Sequence, residues 1–184
     1  PNYDWAAGVR KYGTDDAIAA VATALSPAAL GIVRTSGTDC IKLAAHIFSK
    51  KEALLAAPPN SILHGWAVDP VSKKKIDEVT VCVFKAPKSF TGEDSVEFIC
   101  HGGPAVVLTV YRLLIGSGFR AAEGGEFTFR SFINGKTDLT RAEAVREIIE
   151  AGTGSAAELA AGRLSGGLFS EIRTIKEELL TLIA

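Results

Sequence analysis

Up to His101 the apolar positions recur mostly with the period of strands, and beyond Pro104 they recur with the period of helices. Leu30-Gly-Ile-Val-Arg-Thr35 is a short branched run that ends in the turn pair Ser36-Gly37. Thr38 is placed to cap a helix reaching about Phe48, with Ile41, Ala44, Ala45 and Phe48 at helical spacing. Residues 61–68 alternate, with Ile62, His64, Trp66 and Val68 sharing one face. Asp69-Pro70 and Ser72-Lys73 make a turn, and residues 77–84 follow as a strand apolar on both faces, which predicts an interior position. A further strand spans 96–100.

Pro104 suits the first position of a helix whose stripe Val107, Tyr111, Leu114 ends near Gly116-Ser-Gly118. A short helix is predicted over 126–134, with Phe129, Phe132 and Ile133 inward and Asn134-Gly135 as its stop. Thr140-x-x-Glu143 reads as a capping box opening a helix that buries Val145, Ile148 and Ile149. Leu164, Leu168, Ile172, Ile175, Leu179 and Leu182 make a long amphipathic stripe that Gly166-Gly167 bends or interrupts. That stripe runs out mid-pattern at Ala184, as expected of a truncated chain or of a helix that pairs with another chain. Antiparallel-type strands mixed with a few helices predict an α+β two-layer sandwich rather than a doubly wound sheet.

The formal net charge of −1 leaves no overall basic footprint for nucleic acid, and the lysines at 50–51 and 73–75 sit among turn residues as solvated loop charges. Three widely spaced cysteines, Cys40, Cys82 and Cys100, argue against a disulfide framework and for a reducing compartment. No apolar run approaches the roughly 20 residues that cross a bilayer. Pro1–Arg10 has neither signal-peptide nor transit-peptide character, so a cytoplasmic protein with no membrane partner is expected.

Several chemistries are discounted. Gly135-Lys136-Thr137 imitates the end of a phosphate-binding loop, but such a loop needs a glycine five residues earlier, where Arg130 stands in a helical segment. Adjacent Cys100 and His101 point to opposite faces of a strand and cannot share a metal. No nucleophile elbow occurs, and no catalytic or metal-ligating residue is expected. His46 and His64 read as structural, Glu93 and Asp94 as caps for backbone amides in their loop. His101 either fixes the Gly102-Gly103 turn or donates to a ligand.

Charges on strands are harder to dismiss. Arg34 shares a face with Leu30 and Ile32, and Glu97 shares one with Ile99 and His101. Such charges need partners, because unpaired burial is expensive. Two accounts fit: Arg34 and Glu97 neutralise each other, or they grip a ligand together with Lys136, which leans from the loop after Asn134-Gly135. In the second account a carboxylate takes two parallel hydrogen bonds from an amino-pyrimidinone edge, while arginine and lysine hold carbonyl or carboxylate oxygens.

Phe90-Thr-Gly-Glu-Asp-Ser-Val-Glu-Phe-Ile-Cys-His-Gly-Gly-Pro104 closely resembles a motif of the tRNA-modification GTPase family known as MnmE or TrmE. So does Gly125-Glu-Phe-Thr-Phe-Arg-Ser-Phe-Ile-Asn-Gly-Lys-Thr-Asp-Leu-Thr-Arg-Ala-Glu-Ala-Val145, and Gly31-Ile-Val-Arg-Thr-Ser-Gly37 fits the family's early strand. The blocks stand in family order, and the resemblance runs from about Asp15 to the end. It implies modification of carbon 5 of the wobble uridine of certain tRNAs, with an aminomethyl or carboxymethylaminomethyl group. The expected partner is an FAD- and NADH-using protein of the MnmG (GidA) type, and the electron chemistry lies there. The N-terminal domain implied is similar to the folate domain of glycine-cleavage aminomethyltransferases. It binds a tetrahydrofolate derivative (5-formyl- or methylene-tetrahydrofolate) and forms a homodimer. Carried over by motif, the folate contacts fall on Arg34, Glu97 and Lys136. Residues 11–137 would be this domain and 138–184 the first helices of a helical domain. The GTPase domain, with its GTP, potassium and magnesium, would lie outside the chain, so GTP hydrolysis by this piece is not expected. One departure stands out: Ala24-Leu-Ser-Pro-Ala-Ala-Leu30 occupies a place where the family has a Gly/Pro-rich stretch.

Three functions therefore compete: a folate-binding module, a dimerisation scaffold with internally paired charges, and a free-standing aminomethyltransferase-like enzyme. The last needs a longer chain, and the unpaired helix after Ser155 argues against it. Direct tRNA binding by this piece is disfavoured by its charge and by the lack of an aromatic–basic strip.

Overall fold

A computed structural model describes residues 15–183, which divide after Arg130 into two compact units. Pro1–Arg10, the expected domain start at 11–14 and the terminal Ala184 lie outside the described residues.

The first unit is built on a sheet. Its strands are β1 (Ile18–Val21), β2 (Leu30–Ser36), β3 (Ser61–Val68), β4 (Lys75–Phe84), β5 (Ser95–His101) and β6 (Arg120–Ala121). They lie in the order β3-β4-β5-β2-β1-β6, antiparallel except for the β1–β6 pair. β4 is interior, as its two apolar faces predict. Register aligns Val33, Phe98, Val81 and Leu63 in one row across four strands. The first three are completely buried, and each such burial contributes roughly 1.5–3 kcal/mol.

Helices α1 (Cys40–Ala44, continued by a 3-10 turn over Ala45–Ile47), α2 (Lys51–Ala56) and α3 (Pro104–Gly116) cover that face. α3 starts with Pro104 in its first turn and buries Val107, Val110 and Leu114, one helical stripe. The opposite face carries Leu30, Ile32, Arg34, Ile62, His64, Trp66, Thr80, Cys82, Glu97 and Ile99, all of them partly or fully exposed. In β3 the alternation thus resolves with Gly65 and Ala67 inward and Ile62 (70% exposed) outward. Thr38 does not cap α1. The capping position is Asp39 in the left-handed region (φ 55°), and its carboxylate takes Lys42 rather than a backbone amide.

α4 (Glu126–Ile133) crosses the boundary between the units. Phe129 and Phe132, expected inward, are exposed, while Phe127, Arg130 and Ser131 are buried. The helix is rotated because Arg130 finds carboxylates on its inner side, and an ion-paired arginine can be buried where a lone one cannot.

The second unit adds α5 (Leu139–Glu150), α6 (Gly154–Leu164) and α7 (Gly167–Ile183). Thr140 does not cap α5: Asp138 accepts from the Arg141 amide at 2.9 Å and Thr140 donates to Asp138. Within α5 only Ala144 is buried, Val145 and Ile148 are half-buried and Ile149 is exposed, contrary to the expected stripe. Two close contacts of Arg163 with Glu147, 2.6 and 2.7 Å, tie α6 to α5. Gly166, at φ +93°, separates α6 from α7 as the glycine pair predicts. Ile172, Ile175, Leu179 and Leu182 are exposed along α7, and the side chain of Leu168 lies outside the described residues.

Candidate functional site

Strand pairing sets Arg34 of β2 opposite Glu97 of β5, on the half-exposed face. Arg34 Nη2 donates to Glu97 Oε1 at 3.0 Å, and the two side chains retain 29% and 23% exposure, so the pair is reachable from solvent. The Arg34 guanidinium carbon lies 4.9 Å from the Phe127 ring centroid and 5.3 Å from that of Phe90. Two aromatic faces therefore hold the cation by its π-attraction and shield it from water. Arg34 Nε is buried and has no hydrogen-bond partner among the described residues. Such an orphaned donor costs about 1–3 kcal/mol unless something supplies an acceptor. Glu97 Oε2 has no partner among the described residues.

Lys136, the third expected contact, belongs to the second unit. It follows Gly135 (φ +67°), and its amide donates to Ser131 carbonyl at 2.9 Å, so Gly135-Lys136 is a helix stop rather than part of a phosphate loop.

The segment from Ser89 to Asp94 closes one end of the site. Ser36 Oγ donates to Glu93 at 2.7 Å and lies 2.6 Å from Thr91 Oγ1. Asp94 caps the Ala86 amide as expected. Glu93 departs from the expected amide-capping role and faces the fully buried Arg130 side chain at 3.3 Å.

Arg130 also donates to the Asp16 carbonyl (2.8 Å), to Asp16 Oδ1 (2.6 Å) and to Glu126 (3.0 Å). Arg120 bridges the same two acids, at 2.6 Å to each. The Arg120 hydrogen bond, then the Arg130 one, outweighs burial and holds the Asp16 carboxyl below its usual range. Burial works to raise Glu126, but hydrogen bonds from Arg120, the Glu123 amide and Arg130 prevail and lower it too.

Sequence reasoning missed this cluster, having used Arg130 only to exclude a nucleotide loop. The available signal was spacing: Phe127 and Arg130 stand three apart, and Glu126 and Arg130 four apart, on one helix.

At the other end of the strand pair, the His101 ring hydrogen-bonds Asp77 rather than the glycine turn, and its side chain stays 69% exposed. Asp77 takes both its amide (2.8 Å) and its Nδ1 (2.7 Å), and that hydrogen bond raises the imidazole pKa. The glycine turn is set instead by Gly102, whose amide reaches Ala29 carbonyl and whose carbonyl accepts from Ala28. A Cβ there would lie 2.5 Å from Ala28 oxygen, so the substituted loop before β2 leans on this glycine. A shallow groove of about 390 Å³ lies at this end of the sheet, lined by Leu30, His64, Glu78, Thr80, Ile99 and His101 among others. Arg34 is not among its lining residues.

The family described as GTP-binding protein TrmE N-terminus matches residues 17–136. A protein of Treponema denticola named tRNA modification GTPase MnmE is 70% identical over 176 residues, 96% of this chain and 37% of its own length. Proteins of the same name from Treponema pallidum (strain Nichols) and Borreliella afzelii are 52% and 48% identical, over 95% and 92% of this chain and 35% and 37% of their own lengths. The chain thus spans little more than a third of these relatives.

Proposed function

The chain belongs to the family of the TrmE N-terminus, and on that premise we propose that it is the tetrahydrofolate-binding and homodimer-forming module of a tRNA-modification GTPase. The observation that carries this reading is the buried Nε of Arg34, without an acceptor among the described residues, in a guanidinium that two aromatic rings approach and beside a glutamate with an uncommitted oxygen.

A pterin carries the kinds of groups that this arrangement asks for. Its amino-pyrimidinone edge presents parallel N–H donors to Glu97, and its carbonyl oxygen offers Arg34 the missing acceptor. Glu97 Oε1 keeps Arg34 while accepting from ligand, since each carboxylate oxygen has two lone pairs. The pterin ring shares the aromatic surroundings of Phe90 and Phe127. Lys136 is assigned the remaining folate oxygens. A 5-formyl- or methylene-tetrahydrofolate is the ligand, and residues 11–137 are the domain that takes it, with 138–184 opening a helical domain. Resemblance to the glycine-cleavage aminomethyltransferase folate domain belongs to the same reading.

Dimerisation is supported by the half-exposed sheet face, where Leu30 (59% exposed) and Ile62 (70%) stand beside Ile32, Ile99 and Trp66. The whole protein would continue into a GTPase domain with potassium and magnesium, and would act in the cytoplasm on the tRNA wobble uridine with an MnmG/GidA-type FAD protein. No acid or base is assigned here: the domain presents a one-carbon carrier.

The 3.0 Å Arg34–Glu97 contact favours a second reading, a dimerisation scaffold in which the charges only neutralise each other. Calorimetric titration with 5-formyltetrahydrofolate separates the two. Saturable heat is expected of the folate module. A dimer by sedimentation that gives no heat at high micromolar ligand leaves only the scaffold.

A further inference from the structure

Two of the groups that surround Arg34 come from segments outside the strands of the sheet. Phe90 sits in the loop before β5, and Phe127 sits in the first turn of α4. Both segments converge on one buried cation. Glu93, three residues after Phe90, and Glu126, immediately before Phe127, are ion-paired to Arg130, whose side chain has no exposure. Its third acid, Asp16, anchors the assembly at the entry to β1. Glu93 is tied in turn to Ser36, two residues along β2 from Arg34.

We propose that Arg130 is a positioning residue for the Arg34 site: by drawing Glu93 and Glu126 together, it sets the two aromatic rings against the Arg34 guanidinium. This rests on the folate reading above. The reason is electrostatic. Without the Arg130 guanidinium, Arg120 still bridges Asp16 and Glu126, but Glu93 is left beside these acids with no cation of its own, and the loop that carries it separates from the helix. A lysine keeps the charge but not the planar fork that reaches several oxygens at once.

The test uses the 184-residue chain, 15N-labelled, with Glu93→Gln and Arg130→Lys. Glu93→Gln is the mild variant, since a glutamine oxygen still accepts from Ser36. In the parent protein the Arg34 Nε–H resonance is expected to be ring-shifted and slow to exchange. In both variants it should move toward the position of free arginine and exchange at least about tenfold faster, with the backbone amide spectrum retained. Affinity for 5-formyltetrahydrofolate should fall by at least about tenfold in parallel. If Arg130→Lys does not fold, Glu93→Gln decides.

A parent protein that binds 5-formyltetrahydrofolate, with variants that keep both the Arg34 resonance and the affinity, overturns the positioning role. So does a resonance that moves while affinity stays. A parent that binds no folate, with an Arg34 resonance that still follows Arg130 and Glu93, upholds the positioning and sinks the folate reading instead.

Discussion

Replacing Arg130 by methionine removes a fully buried guanidinium while nearly conserving volume, so the consequence is mostly electrostatic. Its hydrogen bonds to Asp16 carbonyl, Asp16 carboxylate and Glu126 vanish, and Glu93 loses its arginine. Asp16 and Glu126 keep Arg120, but Glu93 is left without a cation, and at a side-chain exposure of only 16% water replaces the lost partner poorly. Breaking a buried pair from one side costs about 3–5 kcal/mol. At roughly 2–4 °C per kcal/mol for a chain of this size, the melting temperature should fall by about 6–20 °C at pH 7.

Acid should close the gap. Asp16 and Glu126 both have carboxyl groups held below their ordinary values, most strongly by Arg120, which the variant keeps, and further by Arg130, which it loses. Their contribution is whole above about pH 4–4.5, where the unfolded carboxyls are ionised, and is lost as pH falls through the lower folded values. Melting of parent and variant by calorimetry should therefore show a large difference at pH 7 that shrinks below pH 4. A difference that stays constant from pH 7 to pH 3 would refute the electrostatic reasoning and assign the loss to packing.

Other expectations follow from single positions. Gly37→Ala places a Cβ 2.2 Å from Asp16 oxygen at φ +123°, and should cost at least about 1–3 kcal/mol from backbone strain, read as a lower denaturant midpoint. Burial pushes the Cys40 thiol up to about 12 and that of Cys100 to about 11. Iodoacetamide at pH 8 should therefore modify half-buried Cys82 first in the native protein, and intact mass with peptide mapping shows the order. Arg34→Lys removes the planar Nε donor and the guanidinium's contacts with the Phe90 and Phe127 rings. It should weaken 5-formyltetrahydrofolate about 10–100-fold in a titration while the melting temperature stays nearly unchanged.

Legibility in the sequence followed periodicity. β3 was readable to the residue because period-2 alternation is bounded by turn residues on both sides, and α3 because Pro104 and Gly116-Ser-Gly118 punctuate it. Which side of β3 faces the core was not readable. Gly65 lies inward since a Cβ there would meet the Phe48 ring at 2.7 Å, a contact made only by the fold. The helix 126–133 defeated the hydrophobic pattern outright. Phe129 and Phe132 looked inward, but Arg130 outcompeted them because its carboxylates come from positions 16, 93 and 126, scattered in sequence. Arg34 and Glu97 were identifiable from charge on an apolar strand face, and strand register brings them together. The aromatic contacts were not, since β5, α3 and β6 separate Phe90 from Phe127 in the sequence.

Glu97→Gln probes recognition most directly, because it is isosteric and replaces one acceptor oxygen by an N–H₂ donor. A pterin edge gripped by two parallel hydrogen bonds then meets donor against donor. Titration of the folded variant with 5-formyltetrahydrofolate should show affinity reduced by about 100-fold or more against the parent. Equal affinity in the two proteins would contradict a carboxylate grip at Glu97.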